Sequence, residues 1–426
     1  MSRLGLSAAC AALVLLGAHP AAAQAPTEAA RLRAGAPAPE AKSYRLRANA
    51  LGQARTPTGV IAVQGDLRPT DWARAEALVW GGTGELGQEA DVLVGRLTLQ
   101  HPSRRASLHL GRMVVGPGAV RPVHMDGGHG WVLLPWGMKL ETFGGVGVAP
   151  RFEERDYDWL VGGRVGQRLG PAHVGVAYLQ RRDGGRLADH EVGGDLAVVL
   201  GEAWSLNGRA AWDLQNPGFS EALASLVFQP HRAWRLEVYG AHRSPSRILP
   251  ATSLFSVLGD VAAQHVAGRV RWRAAPRLDV IADGGARSFE EGFFEQARLR
   301  AVLRLDDFGR SVLSAQFERA GGPADVAFTG ARLTFRWQVA PAWRLASELE
   351  LVRPDQVDVA ERPGAGLDAL SSAPDRGEWW PWGLMALEYQ PSDQWIVAAA
   401  VEASATARFE RAVDGLLRAT WLWGAP

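Results

Sequence analysis

The chain has 426 residues, 46 Lys+Arg against 45 Asp+Glu for a formal net charge of +1, and a hydrophobic content of 47%. That balance excludes a disordered tail, which is poor in apolar residues, and a polybasic nucleic-acid binder, which carries a surplus of cations. Lysine occurs only at Lys42 and Lys139, and the charge by itself names no partner.

At the N-terminus, Met1-Ser2-Arg3 precedes the apolar run LGLSAACAALVLLGA and the small-residue stretch HPAAAQA. This is the layout of a secretory signal peptide over 1–23, with cleavage near Ala23 or Ala25, so export is expected. Cys10, the only cysteine, lies inside the apolar run, and the mature chain is expected to hold neither a disulfide nor a cysteine-bound metal. Residues 24–42 are Ala/Pro-rich and aperiodic and read as a flexible periplasmic lead-in, too short to plug a wide barrel. Beyond the signal, no run approaches the roughly 18 apolar residues of a membrane-spanning helix.

From residue 43 onward the pattern is period two. Strands are expected near 43–52, 58–66, 72–82, 89–101, 105–115 and 136–146, and then fifteen more between 157 and 423. In HRAWRLEVYGAHR, Trp234, Leu236 and Val238 alternate with Arg235, Glu237 and Tyr239. The same beat recurs in EAWSLNGRAAWDL, PAWRLASELELVR and DQWIVAAAVEASA, each a turn, then a Trp, then strict alternation. Short connections fall near 170, 201, 229–231, 274–276, 306–309, 340–341 and 390–392. Long polar ones are expected at 181–187, 244–264 and 353–378. Trp204, Trp234, Trp272, Trp337, Trp343 and Trp395 sit beside short turns on the apolar phase, and Trp423 ends a last strand of the same type. An aromatic girdle at one membrane interface has this distribution.

Energetics choose the solvent of each face. Turning Arg269 and Arg271 toward lipid would cost roughly 2 to 4 kcal/mol each near the midplane, so the charged phase is expected to face a polar lumen. The mature chain, with its barrel over residues 43 to 426, resembles a Gram-negative outer-membrane β-barrel, porin-like in size. The stretch LHLGRMVVGPG (108–118) is similar to the strand that precedes the pore-folded loop in porin-type families. The fold expected is therefore all-β, a single transmembrane antiparallel up-and-down barrel of 18–20 strands in the bacterial outer membrane. The partners implied are outer-membrane lipid and lipopolysaccharide, the barrel assembly machinery and small solutes, with no nucleic acid and an open question of oligomeric state.

Barrels of about 16 strands or more leave an aqueous lumen unless something fills it. The expected function is a passive channel for small hydrophilic solutes or an exported product, with a closed barrel that displays long outer loops as the alternative. The Gly-rich stretch 115–137 is the candidate inward loop, and Arg121, without an evident acidic partner, is the candidate filter residue within it. His124, Asp126 and His129 in the same stretch are candidate lining residues; their spacing matches no metal motif. On the strands, Arg269, Arg271, Asp279, Asp283, Arg298, Arg300, Arg332, Arg336, Glu348 and Glu350 are candidate pore-lining residues. Basic and acidic strands follow one another there, which fits both cross-strand pairing and a tuned anion path. No G-x-S-x-G occurs, the histidines are scattered, and neither enzyme activity nor a cofactor is expected.

Overall fold

The computed structural model describes residues 43–54, 58–84, 87–148, 157–244, 263–289, 292–322, 327–355, 379–406 and 409–425. The signal peptide and lead-in expected over 1–42, and most of the connections expected at 244–264 and 353–378, lie outside the described residues.

The described chain is almost entirely strand. In chain order the elements are β1 (Ser43–Gln53), β2 (Thr58–Thr70), β3 (Ala73–Gly84), β4 (Gly87–Gln100), β5 (Ala106–Val115), β6 (Val123–Leu133), β7 (Met138–Gly147), β8 (Tyr157–Leu169), β9 (Ala172–Asp183), β10 (Arg186–Leu200) and β11 (Trp204–Asp213). They continue as β12 (Gly218–His231), β13 (Trp234–Arg243), β14 (Ala263–Ala275), β15 (Leu278–Phe289), β16 (Gly292–Arg304), β17 (Val312–Gly321), β18 (Phe328–Ala340), β19 (Trp343–Pro354), β20 (Trp380–Ser392), β21 (Trp395–Thr406) and β22 (Phe409–Ala425). Each strand pairs antiparallel with the next, and β1 pairs with β22 from Tyr44↔Ala425 to Gln53↔Leu416. The result is one closed 22-stranded up-and-down barrel, a bacterial outer-membrane architecture in which closure leaves no free sheet edge.

The strand number exceeds the expected 18–20: all twenty-one candidate strands are present, and one more is hidden in the sequence. Val123–Leu133 is a wall strand, paired with β5 and β7 along its length, and not part of an inward loop. Its glycines at 127, 128 and 130 erase the apolar alternation that marks its neighbours. Only Gly116–Pro122 leaves the wall between β5 and β6. The expected long connection at 181–187 is likewise a tight turn. Gly184 and Gly185 both hold positive φ, 56° and 73°, as a two-residue hairpin turn requires, and the ladder runs on to Arg186↔Asp183.

The two phases of the wall differ as the alternation predicts. Val238, Val266, Leu299, Phe317 and Val401 are each more than half exposed on the outer phase, which is the phase that apolar residues occupy only against lipid. At the end of the barrel where connections are shortest, the outer phase is aromatic. Trp204, Trp234, Trp272, Trp337, Trp343, Trp395 and Trp423 are between 39% and 49% exposed there. Five of them meet aromatic partners at the same rung, in four pairs: Trp204 stacks on Phe228 at 4.1 Å, Trp234 on Trp272 at 5.5 Å, Trp343 on Tyr389 at 4.3 Å and Trp395 on Trp421 at 6.1 Å. Tyr44 and Trp423, 5.0 Å apart, continue the ring across the β1–β22 seam. Register shifts precede the turns at Leu67/Thr70, Phe228/His231, Arg273/Ala275, Gln338/Ala340 and Tyr389/Ser392, all at this short-turn end, where bulges add local twist.

Candidate functional site

Among the described residues, Gly116–Pro122 is the stretch that enters the interior. It lies over an apolar patch on the inner phase: Val120 clusters with Met113, Val115, Val123, Met125, Phe143, Leu160, Ala177 and Leu179. Inner-phase apolar side chains would face water in a polar lumen, and the segment covers them. Two glycines permit the approach. Gly118 holds φ 64°, and a Cβ there would lie 2.5 Å from Asp195 Oδ2 and 2.8 Å from Arg164 Cδ. Gly193 on β10 leaves room for Ala119, whose Cβ would stand 2.8 Å from one added at Gly193.

Arg121 fixes the segment electrostatically. Its Nη1 donates to Asp189 Oδ1 and its Nη2 to Glu191 Oε1, each at 2.6 Å, and its backbone N–H donates to Glu191 Oε2 at 3.3 Å. The two acids are buried, with side chains 2% and 1% exposed. Burial opposes the charge on Arg121, but the hydrogen bond to Glu191 and the charges of Asp189, Glu191 and Asp213 outweigh it and hold its pKa above the ordinary arginine value. The expected filter arginine is thus a docking residue. Its partners lie on a strand some seventy positions away in sequence, so no local reading exposes them.

Beside this anchor the inner wall carries a second ionic network. Arg164 on β8 donates to Asp195 on β10 at 2.9 and 2.6 Å. Glu141 on β7 takes Lys139 at 2.8 Å and lies 3.6 Å from His129, and His129 stacks on His109 at 5.2 Å. His129 therefore belongs to the inner phase. His124 and Asp126, on the other parity of β6, do not: the strand sends them to the opposite face, where His124 Nε2 meets the Leu93 carbonyl at 2.8 Å and Asp126 accepts a bidentate pair from Arg112, both bonds 2.8 Å. HMDGGH therefore does not converge, and among the described residues no group of His, Cys, Asp or Glu is placed to hold a metal ion. Charge is tolerable on the outer phase here because Arg112 pairs with both Asp126 and Asp91, at 2.8 and 3.1 Å, and lies a few residues from the strand end, where the cost of charge falls to about 0–1 kcal/mol.

On β13–β19 the candidate residues share the inner phase and the register sorts them into rungs. One rung runs Glu237, Arg269, Asp283, Arg298, Glu318, with charges alternating strand by strand. Arg298 lies 3.5 Å from Asp283 and 3.0 Å from Glu318. The next rung toward the short-turn end runs Arg235, Arg271, Ile281, Arg300, Gln316, Arg332 and reaches an acid only at Glu350. Its arginines lean to acids on neighbouring rungs: Arg271 to Asp279 at 2.8 Å, Arg235 to Glu237 at 3.6 Å and Arg332 to Glu348. Arg269 and Arg336 form no ion pair among the described residues, and Arg300 bonds only the Ser314 hydroxyl, at 2.9 Å. The arc from β13 to β18 is consequently rich in guanidinium, whereas Glu348, Glu350, Glu388, Glu402 and Asp414 follow it on the inner phase of β19–β22. Sequence reading did not find this division, because it depends on register around the barrel rather than on any one strand.

No family profile matches the chain, and no curated protein matches it. Among solved structures it is similar to the siderophore receptor PirA from Pseudomonas aeruginosa, at TM-score 0.61 and 9% identity over 91% of this chain and 81% of that one. It is similar also to the ferric enterobactin receptor PfeA of the same organism, at TM-score 0.61 and 8% identity over 91% and 82%. A third such structure is the ferric citrate transporter FecA, at TM-score 0.53 and 11% identity over 91% and 79%. At such identities the likeness is one of fold: an outer-membrane barrel.

Proposed function

We propose that the protein is a passive, porin-like channel through the bacterial outer membrane for small hydrophilic solutes. One observation carries this reading. The inner phase of a closed 22-stranded wall is charged and hydrogen-bonded over most of its circumference, and at this strand number side chains alone do not fill the interior. Outer-membrane transporters of 22 strands have a plugged lumen. Here the described stretch that enters the interior, Gly116–Pro122, is short and packs on the wall strands β5–β10, which supports a narrowed path rather than a filled one.

In this reading the path is lined by Arg269, Arg271, Asp279, Asp283, Arg298, Arg300, Arg332, Arg336, Glu348 and Glu350, with His129 on the opposite arc. The tryptophan ring marks one membrane interface, and lipid and lipopolysaccharide meet the outer phase. Arg121 shapes the path by holding the inward segment. It does not itself touch the solute.

The test is single-channel recording of the detergent-folded chain in a planar bilayer, after a heat-dependent gel shift has established folding. Stepwise ohmic current supports the channel. A folded barrel that stays silent sinks it and favours a closed barrel acting through its outer connections.

A further inference from the structure

We infer that the short-turn mouth of the lumen carries a binding site for small multivalent oxyanions, carboxylate or phosphate, built by Arg271, Arg273, Arg304 and Arg300 around Asp279. The route of the ligand rests on the channel reading; the site itself does not.

Asp279 is the second residue of β15, just after the turn at 276–277, and its side chain is only 4% exposed. Three guanidinium groups converge on this one carboxylate. Arg271 Nη2 donates to Oδ2 at 2.8 Å, Arg304 Nη2 donates to the same oxygen, and Arg273 Nε lies 3.5 Å from Oδ1. Three cations against one anion leave a surplus of two positive charges. The surplus is accessible: the Arg271 and Arg273 side chains are 42% and 46% exposed, so an arriving solute meets donors while the acid stays beneath them.

The cluster is also held in place. Arg304 donates its other terminal nitrogen to the Pro276 carbonyl at 3.3 Å, tying it to the turn. Arg300, on the Arg271 rung with Ile281 between, is fixed by the Ser314 hydroxyl and has no acidic partner among the described residues. Two strand spacings separate Arg271 from Arg300, about 10 Å between backbones, which two long side chains span when an anion with two charged ends lies between them. Planar guanidinium forks suit carboxylate and phosphate oxygens because two parallel N–H donors meet two acceptors. Asp279 thus orients the arginines and spaces their charges without cancelling them.

The experiment titrates the detergent-folded barrel with inorganic pyrophosphate and, separately, with succinate by calorimetry at low ionic strength. Binding by either probe is expected; which of the two binds more tightly assigns phosphate or carboxylate as the natural end group. The Arg271→Gln/Arg273→Gln pair should weaken binding about tenfold or more, the loss of charge-assisted hydrogen bonds, while Arg209→Gln on β11, an equally exposed inner-wall arginine, should leave it unchanged. The Arg271→Lys/Arg273→Lys pair keeps the charge and loses the fork, so it should also weaken binding. Absence of binding by both probes, or full binding in either pair, overturns the site. Channel and site fail separately: a silent barrel that binds keeps the site, and a conducting barrel that binds nothing keeps the channel.

Discussion

Arg121→Gln should undock the inward segment while the barrel stays folded. The substitution leaves Asp189 and Glu191 buried without the guanidinium that both accept from at 2.6 Å. Among the described residues Asp189 then keeps Arg181, at 3.6 Å, and Glu191 keeps the backbone N–H of residue 121. Removing one member of a buried, hydrogen-bonded charge set costs about 3–5 kcal/mol. The wall is held by its own ladders, so the segment gives way first. At about 1.4 kcal/mol per tenfold, the docked-to-undocked ratio falls by a factor of about 100 to 1,000 or more. Cys10 is the only cysteine, so Val120→Cys in a Cys10→Ser chain gives a unique thiol at a position only 3% exposed. Its maleimide labelling rate reads the undocked fraction when opening is fast compared with labelling. The expected rise on adding Arg121→Gln is about 100-fold or more, with the heat-dependent gel shift retained. A rise of less than about threefold would mean that the Val120 cluster holds the segment alone and the ionic account is wrong.

Three further outcomes follow from the geometry. Leu299→Arg, at mid-strand on the outer phase and 53% exposed, should lower barrel stability by about 2–4 kcal/mol, whereas Thr334→Arg, on the inner phase opposite Glu348, should stay within about 1 kcal/mol; equal losses in urea unfolding from vesicles would contradict the assignment of phases. Arg298→Gln removes pairs to both Asp283 and Glu318 and should cost about 0.5–2 kcal/mol, with coupling to Glu318→Gln in a double-mutant cycle; strict additivity would show that the alternating rung contributes nothing. In the turn after β16, hydrogen bonds from the backbone N–H groups of Arg310 and Ser311 hold the Asp306 carboxyl below the ordinary carboxylate range. The turn should therefore keep its full order above about pH 4 and lose it as pH falls through that depressed value; amide exchange at Arg310 and Ser311 that already loosens between about pH 5 and 7 would sink this.

The barrel was legible from residue parity because each strand carries its own evidence: Val266, Val270 and Trp272 against Arg269, Arg271 and Arg273 needs no partner to be read. So was the succession of basic and acidic strands, since consecutive strands are neighbours in an up-and-down sheet, although the meeting of Arg298 with Asp283 and Glu318 needed the register. What failed was whatever glycine or distance concealed. Gly127, Gly128 and Gly130 hid β6, and with it both the strand count and the placement of His124 and Asp126 on the outer phase. The rule that charge faces the lumen did not anticipate Arg112 and Asp126 satisfying one another on the other side. Arg121 looked unpartnered because Asp189 and Glu191 reach it only after four intervening strands have turned the chain back along the wall.

The two arcs of the lumen make a final distinction possible. The inward segment is docked on β8–β10 through Arg121, Gly118 and Ala119, while the guanidinium cluster stands on β14–β16, with three strands of wall between them and no partner in common. Groups more than about 10 Å apart that share no partner act additively to within about 0.5 kcal/mol. If the segment governs the width of the path and the cluster governs its charge, Arg121→Gln should change conductance with little shift in reversal potential under a salt gradient. Arg271→Gln/Arg273→Gln should shift the reversal potential away from anions with little change in conductance at high salt, where screening shortens the reach of wall charges to about 3 Å. The triple variant should then show both changes at their separate sizes. A reversal potential in the triple variant that departs from the double variant's by as much as the double departs from wild type would show that the segment also positions charge in the path, and width and selectivity would have to be treated as one property of the wall.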